Sequence, residues 1–428
     1  VVIDTTAPTI SSISKVQGES SVSYTIEFSE PVTGVTQSAI IFSGTSASGS
    51  SWSVSNFVQI TPRRFQFTAT NPLPDSGTLS FSVNTSLVSD LAGNQLAAGS
   101  ILVGGVNPAQ VTFFFMPSIS LGTLSQLGSS ASQIAPAFTL QSRGNSLHGL
   151  RVSIAGHQAG DLLSFTNTNA GTFGTIQSAS SSNGVLNLTF SGAQPSAAHW
   201  QAAARAVTFA TSSTAVVSRT VIFHIRPTEN YSLDTGRFYQ VVSSPDYTFK
   251  SWADSFDQAA TYRFGGLQGY MVNITSAAEQ SFVASSAVAN NRGAWLGHND
   301  LQTEGVWKIA AGPEAGSNAT YSNWSPGEPN NSSDYVMLMT NGEWDDNSDT
   351  SQGVGNYRVS ILIVEFGGAV GDPVLALAAS APLVIDSTSP TVIGLSTPAA
   401  DGDYFLGETI DINVTFSEVV TVSGTPQL

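Results

Sequence analysis

The chain contains no cysteine. That excludes disulfide bridges, zinc–thiolate sites and thiol nucleophiles, so stability has to come from packing and bound cations. Charge is also scarce: Asp, Glu, Lys and Arg together make up 10% of the residues, against about a quarter in an ordinary domain. Basic residues are the scarcer sign, 14 against 30 acids, for a net charge of −16 and a pI near 4.5. Such a chain repels nucleic acid and anionic membranes; where its acids cluster, divalent cations are the natural partners. Long apolar runs are missing too. The longest, Val374–Val384, carries Pro382 and falls well short of the about 20 residues that span a bilayer. No signal peptide is visible at Val1, and the last pattern stops short at Leu428, which reads as a piece of a longer protein whose targeting signals lie elsewhere.

What is present is a 428-residue chain with 41% hydrophobic residues, enough for three or four separate cores. Its polar surface must be built from Ser, Thr, Asn and Gly. One internal repeat stands out: Val2-Ile3-Asp4-Thr5-Thr6-Ala7-Pro8-Thr9-Ile10 returns as Val384-Ile385-Asp386-Ser387-Thr388-Ser389-Pro390-Thr391-Val392. Each copy leads to the same triplet, Phe28-Ser29-Glu30 and Phe416-Ser417-Glu418. Ser23–Phe28 and Phe65–Thr68 alternate polar and apolar side chains, as strands of an antiparallel sandwich do. With Asp90-Leu91-Ala92-Gly93-Asn94, these motifs resemble the bacterial Ig-like repeats of giant, RTX-type surface adhesins. The resemblance covers residues 1–105 and, truncated, 386–428.

A second β-rich region runs from about Val106 to Pro227. Gly160–Phe165, Trp200–Phe209 and Arg219–Phe223 resemble a cadherin-like repeat of the same adhesins, with Gln201–Ala206 expected as one short helix. Strand-like sequence resumes only at Pro373–Ile385. The expectation is a sandwich split between 106–228 and 367–385, with a different domain, 229–366, inserted in one of its loops; insertion is cheap when the guest's termini lie close together.

The inserted segment holds most of the Trp and Tyr residues. Ser251–Tyr262 places Trp252, Phe256, Ala259 and Ala260 near helical spacing. Ser276–Asn290 opens with Ser276 and Glu279, a capping box. Its chemistry lies in Trp324-Ser325-Pro326-Gly327-Glu328-Pro329-Asn330-Asn331, Asp334-Tyr335-Val336 and Gly342-Glu343-Trp344-Asp345-Asp346. Calcium takes six to eight oxygen ligands. Glu328 and Asn330 flank Pro329, and a cis bond before proline would aim both side chains at one point. Asp345 and Asp346 follow a Trp that anchors their strand. Four oxygen-bearing side chains from two loops make a calcium cage with open positions, and a sugar's vicinal diol supplies two more oxygens while hydrogen-bonding the same carboxylates and amides.

Trp295-Leu296-Gly297, Asn323-Trp324, Glu328-Pro329-Asn330, Trp344-Asp345-Asp346 and Val364-Glu365-Phe366 together resemble a C-type lectin domain. The resemblance implies that Glu328, Asn330, Asp345 and Asp346 bind the principal calcium and the sugar together, and that Glu-Pro-Asn goes with mannose-, glucose- or fucose-type sugars. It also implies an auxiliary calcium at Asp300, Glu304, Asn331 and Asp334. This chain departs from the family at Asp345, where an Asn is usual, at Ser333, where an acid is usual, and at Tyr335, where animal members have a disulfide cysteine. The first two alter the hydrogen-bond polarity toward the sugar and leave open a second reading, a lectin-like fold that binds a protein partner or is structural, with calcium stabilising its loops.

The remaining signals are weaker. Asp386, Asp401, Asp403 and Glu418 stand at a domain junction and are candidates for a linker calcium; Asp4, Glu30 and Asp90 are the weaker counterpart. Trp295, Trp307, Trp324 and Trp344 read as core anchors, His298 as a polar loop residue, and Asn347–Asn356 as a solvated loop near the sugar site. His199, Ser196 and Asp161 form no triad pattern, and Glu365 sits in an apolar strand, away from any glycosidase pairing with Glu343. The expectation is a multidomain, mostly β, non-enzymatic region of an extracellular bacterial adhesin, monomeric within a long tandem chain. It would require Ca2+ and bind glycans on cells or other surfaces, with no nucleic acid and no membrane span.

Overall fold

The computed structural model describes the chain apart from residues 1–3, 18–20, 49–51, 72–75, 98–109, 115, 125–130, 145–146, 214–216, 244–250, 291, 331–332, 350–358, 384, 386–389, 423 and 425–428. In the first module, strands Ile10–Gln17, Ser21–Phe28, Arg64–Thr70 and Ser53–Thr61 lie side by side in that order. A second sheet joins Ile40–Ser43, Gly77–Val83 and Val111–Phe113. Strict alternation along Ser21–Phe28 turns Val22, Tyr24, Ile26 and Phe28 inward. Tyr24 and Phe67 meet Phe81 of the opposite sheet edge-on at 4.8 and 5.1 Å, a geometry that adds to simple area burial. The Asp90-Leu91-Ala92-Gly93-Asn94 motif is a turn: Asp90 Oδ1 accepts from the Ala92 and Asn94 amides at 2.8 Å each, and Gly93 takes φ +90°, a conformation that favours glycine.

The second module contains a five-stranded antiparallel sheet in the order Ile176–Ser182, Val185–Phe190, Gly149–Ala155, Arg219–Arg226, Ala378–Leu383. Its last strand comes from far along the chain: Arg219 pairs with Leu383 and His224 with Ala378. The Ile225 amide donates to the Leu377 carbonyl at 2.9 Å, so the chain departs and returns at neighbouring points. Asp161–Ser164, Thr208–Thr211 and Ser132–Gln133 form a facing sheet. The short helix expected at Gln201–Ala206 starts earlier, at Ala197. The reason is a cap: Ser196 Oγ accepts from the His199 amide and His199 Nδ1 from the Ser196 amide, both at 3.3 Å. Both side chains are thereby engaged in the local backbone.

Between Arg226 and Ala378 lies an α+β unit. Its sheet runs Tyr231–Ser232, Arg237–Val242, Val359–Phe366, Gly293–Asn299, Tyr335–Leu338, Trp344–Asn347, with Leu267–Met271 also bonded to Val359–Phe366. Two helices, Trp252–Ala259 and Ala277–Asn290, flank it. Ser251 caps the first by accepting from the Asp254 amide at 3.0 Å. In the second, Ser276 accepts from the Glu279 amide at 3.2 Å, but the Glu279 carboxylate reaches back one residue further than a capping box requires, to the Thr275 amide at 2.8 Å. The unit is joined to the second module through Phe114 stacked on Phe264 at 4.7 Å and Arg151 paired with Asp234 at 2.8 Å. Beyond it, Val392–Ser396 pairs with Asn413–Phe416. No helix among the described residues is long and apolar enough to cross a membrane.

Candidate functional site

Trp344 positions the site. Its ring is almost wholly buried, and its Nε1 donates to Gln280 Oε1 at 2.8 Å. Its amide donates to the Asn323 carbonyl and its carbonyl accepts from Ser325, both at 2.9 Å. This rung fixes the strand Trp344–Asn347 against the loop that carries Glu328. The Glu328–Pro329 peptide is cis. One carboxylate oxygen each from Glu328, Asp345 and Asp346 then lies within 4.8 Å of the others. The Asn330 amide stitches the two loops together, donating to Glu328 Oε2 at 3.0 Å and to Asp346 Oδ1 at 2.9 Å. Asn347 donates its side-chain amide to Asp345 Oδ2, a partner that sequence reasoning did not identify.

Crowding acids out of water has an electrostatic consequence. Burial, a hydrogen bond with Asp346 and the charges of Asp345 and Asp346 push the Glu328 carboxyl up to about 7. Burial likewise raises Asp345. Glu328 and Asp345 thus resist ionisation without a cation. Three hard-oxygen donors from two loops fit calcium, and these residues would hold it.

The auxiliary set is less convergent. Asp300 is buried, its Oδ2 accepts from the Gly305 amide at 2.8 Å, and its Oδ1 has no hydrogen-bond partner. Burial raises its pKa, followed by the charges of Asp334 and Asp346. Glu304 is exposed, and its carboxyl is also raised, by desolvation and then by Asp300, Asp334 and Asp346. Among the described residues, Asp300, Glu304 and Asp334 do not bring three ligand atoms within 4.8 Å of one another; Asn331 lies outside the described residues. The orphaned Asp300 oxygen suits a cation, but the set is open. At the C-terminal junction Asp401 and Asp403 are exposed, Glu418 is half-buried and Asp386 lies outside the described residues; no three acids converge there among the described residues. In the first module Asp4, Glu30 and Asp90 do converge within the same limit.

Three sequence expectations are corrected. His298 is not a loop residue: it belongs to the strand Gly293–Asn299, is completely buried, and its ring packs on Trp344 at 5.4 Å. Burial pushes its imidazole down to about 4. Trp307 and Trp324, read as core anchors, are only half-buried and meet at 5.0 Å beside a cavity. The start of the polar 347–356 loop does not stay free in solvent: Asp349 accepts from the Trp252 and Ala253 amides at 3.0 and 3.1 Å. Residues 350–358 of that loop lie outside the described residues. Glu365, by contrast, lies buried in its strand, accepting from Tyr270 Oη at 3.0 Å and the Asn273 amide at 3.1 Å.

With this geometry in place, comparison with known proteins is informative. The family profile of the C-type lectin domain matches residues 253–353, and that of a bacterial Ig-like domain matches residues 4–113. The chain combines an Ig-like module with a C-type lectin domain. Its fold is mostly β and multidomain, with few helices. Halomucin of Haloquadratum walsbyi is 29% identical over 255 residues, 54% of this chain and 3% of that protein. The low affinity immunoglobulin epsilon Fc receptor of Mus musculus is 40% identical over 90 residues, 20% of this chain and 25% of the receptor. A perlucin-like protein of Mytilus galloprovincialis is 36% identical over 110 residues, 24% of this chain and 64% of that protein. The matches thus span from 3% to 64% of these relatives' lengths. The lectin domain's matched residues include Glu328, Asn330, Asp345 and Asp346.

Proposed function

We propose that the lectin domain binds carbohydrate through calcium held by Glu328, Asn330, Asp345 and Asp346. The observation that carries this reading is the convergence of three carboxylate oxygens from two loops within 4.8 Å. Bound calcium would offer its vacant positions to two adjacent sugar hydroxyls, while the carboxylates accept from those hydroxyls. The Glu-Pro-Asn order favours terminal mannose-, glucose- or fucose-type sugars. Asp300, Glu304, Asn331 and Asp334 would supply an auxiliary calcium, a reading supported by the unpartnered Asp300 oxygen; the linker set Asp386, Asp401, Asp403 and Glu418 has no such support, since no three acids converge there among the described residues. In this reading residues 1–105 and 386–428 are Ig-like, 106–228 and 367–385 a split cadherin-like sandwich, and 229–366 its lectin guest. The whole is a non-enzymatic region of a bacterial surface adhesin of the RTX type that attaches cells to glycan-bearing surfaces or to one another in biofilm. Affinity per site is modest, and many copies supply avidity.

A glycan array in calcium, repeated with chelator, tests the reading. Binding that survives chelation contradicts it. A second reading, a protein partner with calcium only bracing the loops, is favoured by Asp345, whose carboxylate is engaged by Asn347. Elution of the natural target by millimolar fucose or mannose separates the two.

A further inference from the structure

Trp324 and Trp344, which hold the two acid-bearing segments together, also line a cavity of about 280 Å³. Its wall is aromatic: Trp307, Tyr321, Trp324 and Trp344, with His298 beside them. Trp324 and Trp344 cross edge-on at 5.6 Å and Tyr321 meets Trp344 at 5.9 Å. The rim is polar and exposed, formed by Asn318, Thr320 and Ser322. None of the described residues around it is Asp, Glu, Lys or Arg. One side chain on this wall has unanswered hydrogen-bonding capacity: Trp307 Nε1 is buried without a partner. Such orphans are costly unless something answers them.

The cavity and the triad share one piece of structure. Trp344 lines the cavity and the next two residues are Asp345 and Asp346; Trp324 lines it, and Ser325 accepts from the Glu328 amide at 2.9 Å. From this we propose that the cavity is a second sugar subsite, taking the ring next to the one held at the metal. An uncharged ring fits an uncharged wall. Its C–H face would lie on the half-buried indoles of Trp307 and Trp324, its hydroxyl oxygens would accept from Trp307 Nε1–H, and its outer hydroxyls would meet Asn318, Thr320 and Ser322. This inference rests on the calcium-site reading above and extends it from a monosaccharide to an oligosaccharide.

The test uses the full 428-residue chain in calcium. Calorimetry compares L-fucose and D-mannose with di- and trisaccharides ending in them. At least one oligosaccharide should bind about tenfold more tightly than its terminal sugar, the scale of a good aromatic contact. Its binding should move the nitrogen-15 signal of the Trp307 indole. Trp307→Phe keeps a ring but removes the N–H, and Thr320→Trp fills the mouth from an exposed position. Both should leave monosaccharide affinity unchanged and reduce the oligosaccharide advantage to about twofold or less. If monosaccharides bind but length brings no gain, or the gain survives both substitutions, the subsite is wrong and the calcium reading stands. If no sugar of either length binds in calcium, both fall.

Discussion

Asn347 donates its side-chain amide to Asp345 Oδ2, so the carboxylate at position 345 is paired with an amide two residues on. Asp345→Asn should therefore weaken calcium binding by removing charge while leaving the strand Trp344–Asn347 folded. Calorimetric calcium titration, with circular dichroism as the fold control, checks this; unchanged affinity would show that Asp345 does not contribute to the metal.

Calcium should raise the thermal stability of the chain. A ligand present at about 100 times its Kd adds about 2.7 kcal/mol to the folded state. Asp346→Asn should abolish most of that gain, since Asp346 Oδ1 also receives the Asn330 amide at 2.9 Å. Scanning calorimetry with and without chelator measures it.

Glu328→Gln with Asn330→Asp exchanges acceptor and donor positions on either side of Pro329. Preference should move toward galactose-type sugars. An array profile that does not change would mean that this loop does not select the sugar.

Burial pushes the Glu365 carboxyl up to about 8, with Glu279 adding to the rise and Arg237 opposing it. The raised value means that the folded protein binds the proton more tightly than the unfolded chain. Its contribution to stability is complete below about pH 4.5, the ordinary glutamate range, and disappears as pH rises through 8. Glu365→Gln should flatten this decline, read as melting temperature against pH from 5 to 9.

In the second module Arg219 Nε lies 2.7 Å from Asp161 Oδ2, and both side chains are sequestered from water. Asp161→Ala would leave a buried guanidinium without its charge partner, and loss of about 3–5 kcal/mol is expected. Denaturant unfolding of that variant against Arg219→Met with Asp161→Leu separates the cost of an orphaned charge from the net worth of the pair.

Several features were legible before any coordinates because they are local. The alternation in Ser23–Phe28 dictates which face is inward, and Ser276 predicts a helix start, because strand period and capping act over a few residues. The triad was legible for a related reason: Asp345 and Asp346 directly follow Trp344, a ring that has to be buried, and Glu328 and Asn330 flank Pro329. His298 was misread because Gly293–Asn299, buried at nearly every position, carries no alternation to expose. The aromatic cavity was invisible because Trp307, Tyr321 and Trp324 look like core residues until packing leaves a space between them.

Composition and motif spacing alone determined that the chain is cysteine-free, acidic, β-rich and equipped with a set of oxygen ligands in two segments. Which oxygens face one another depended on the Trp324–Trp344 rung, a contact across twenty residues of chain. A return of the chain to the second module near Pro373–Ile385 was expected from sequence, but its pairing of Ala378–Leu383 with Arg219–Arg226 was likewise a tertiary decision. An edge strand finds its partner through the unpaired backbone groups on offer, and those groups carry no record in side-chain sequence.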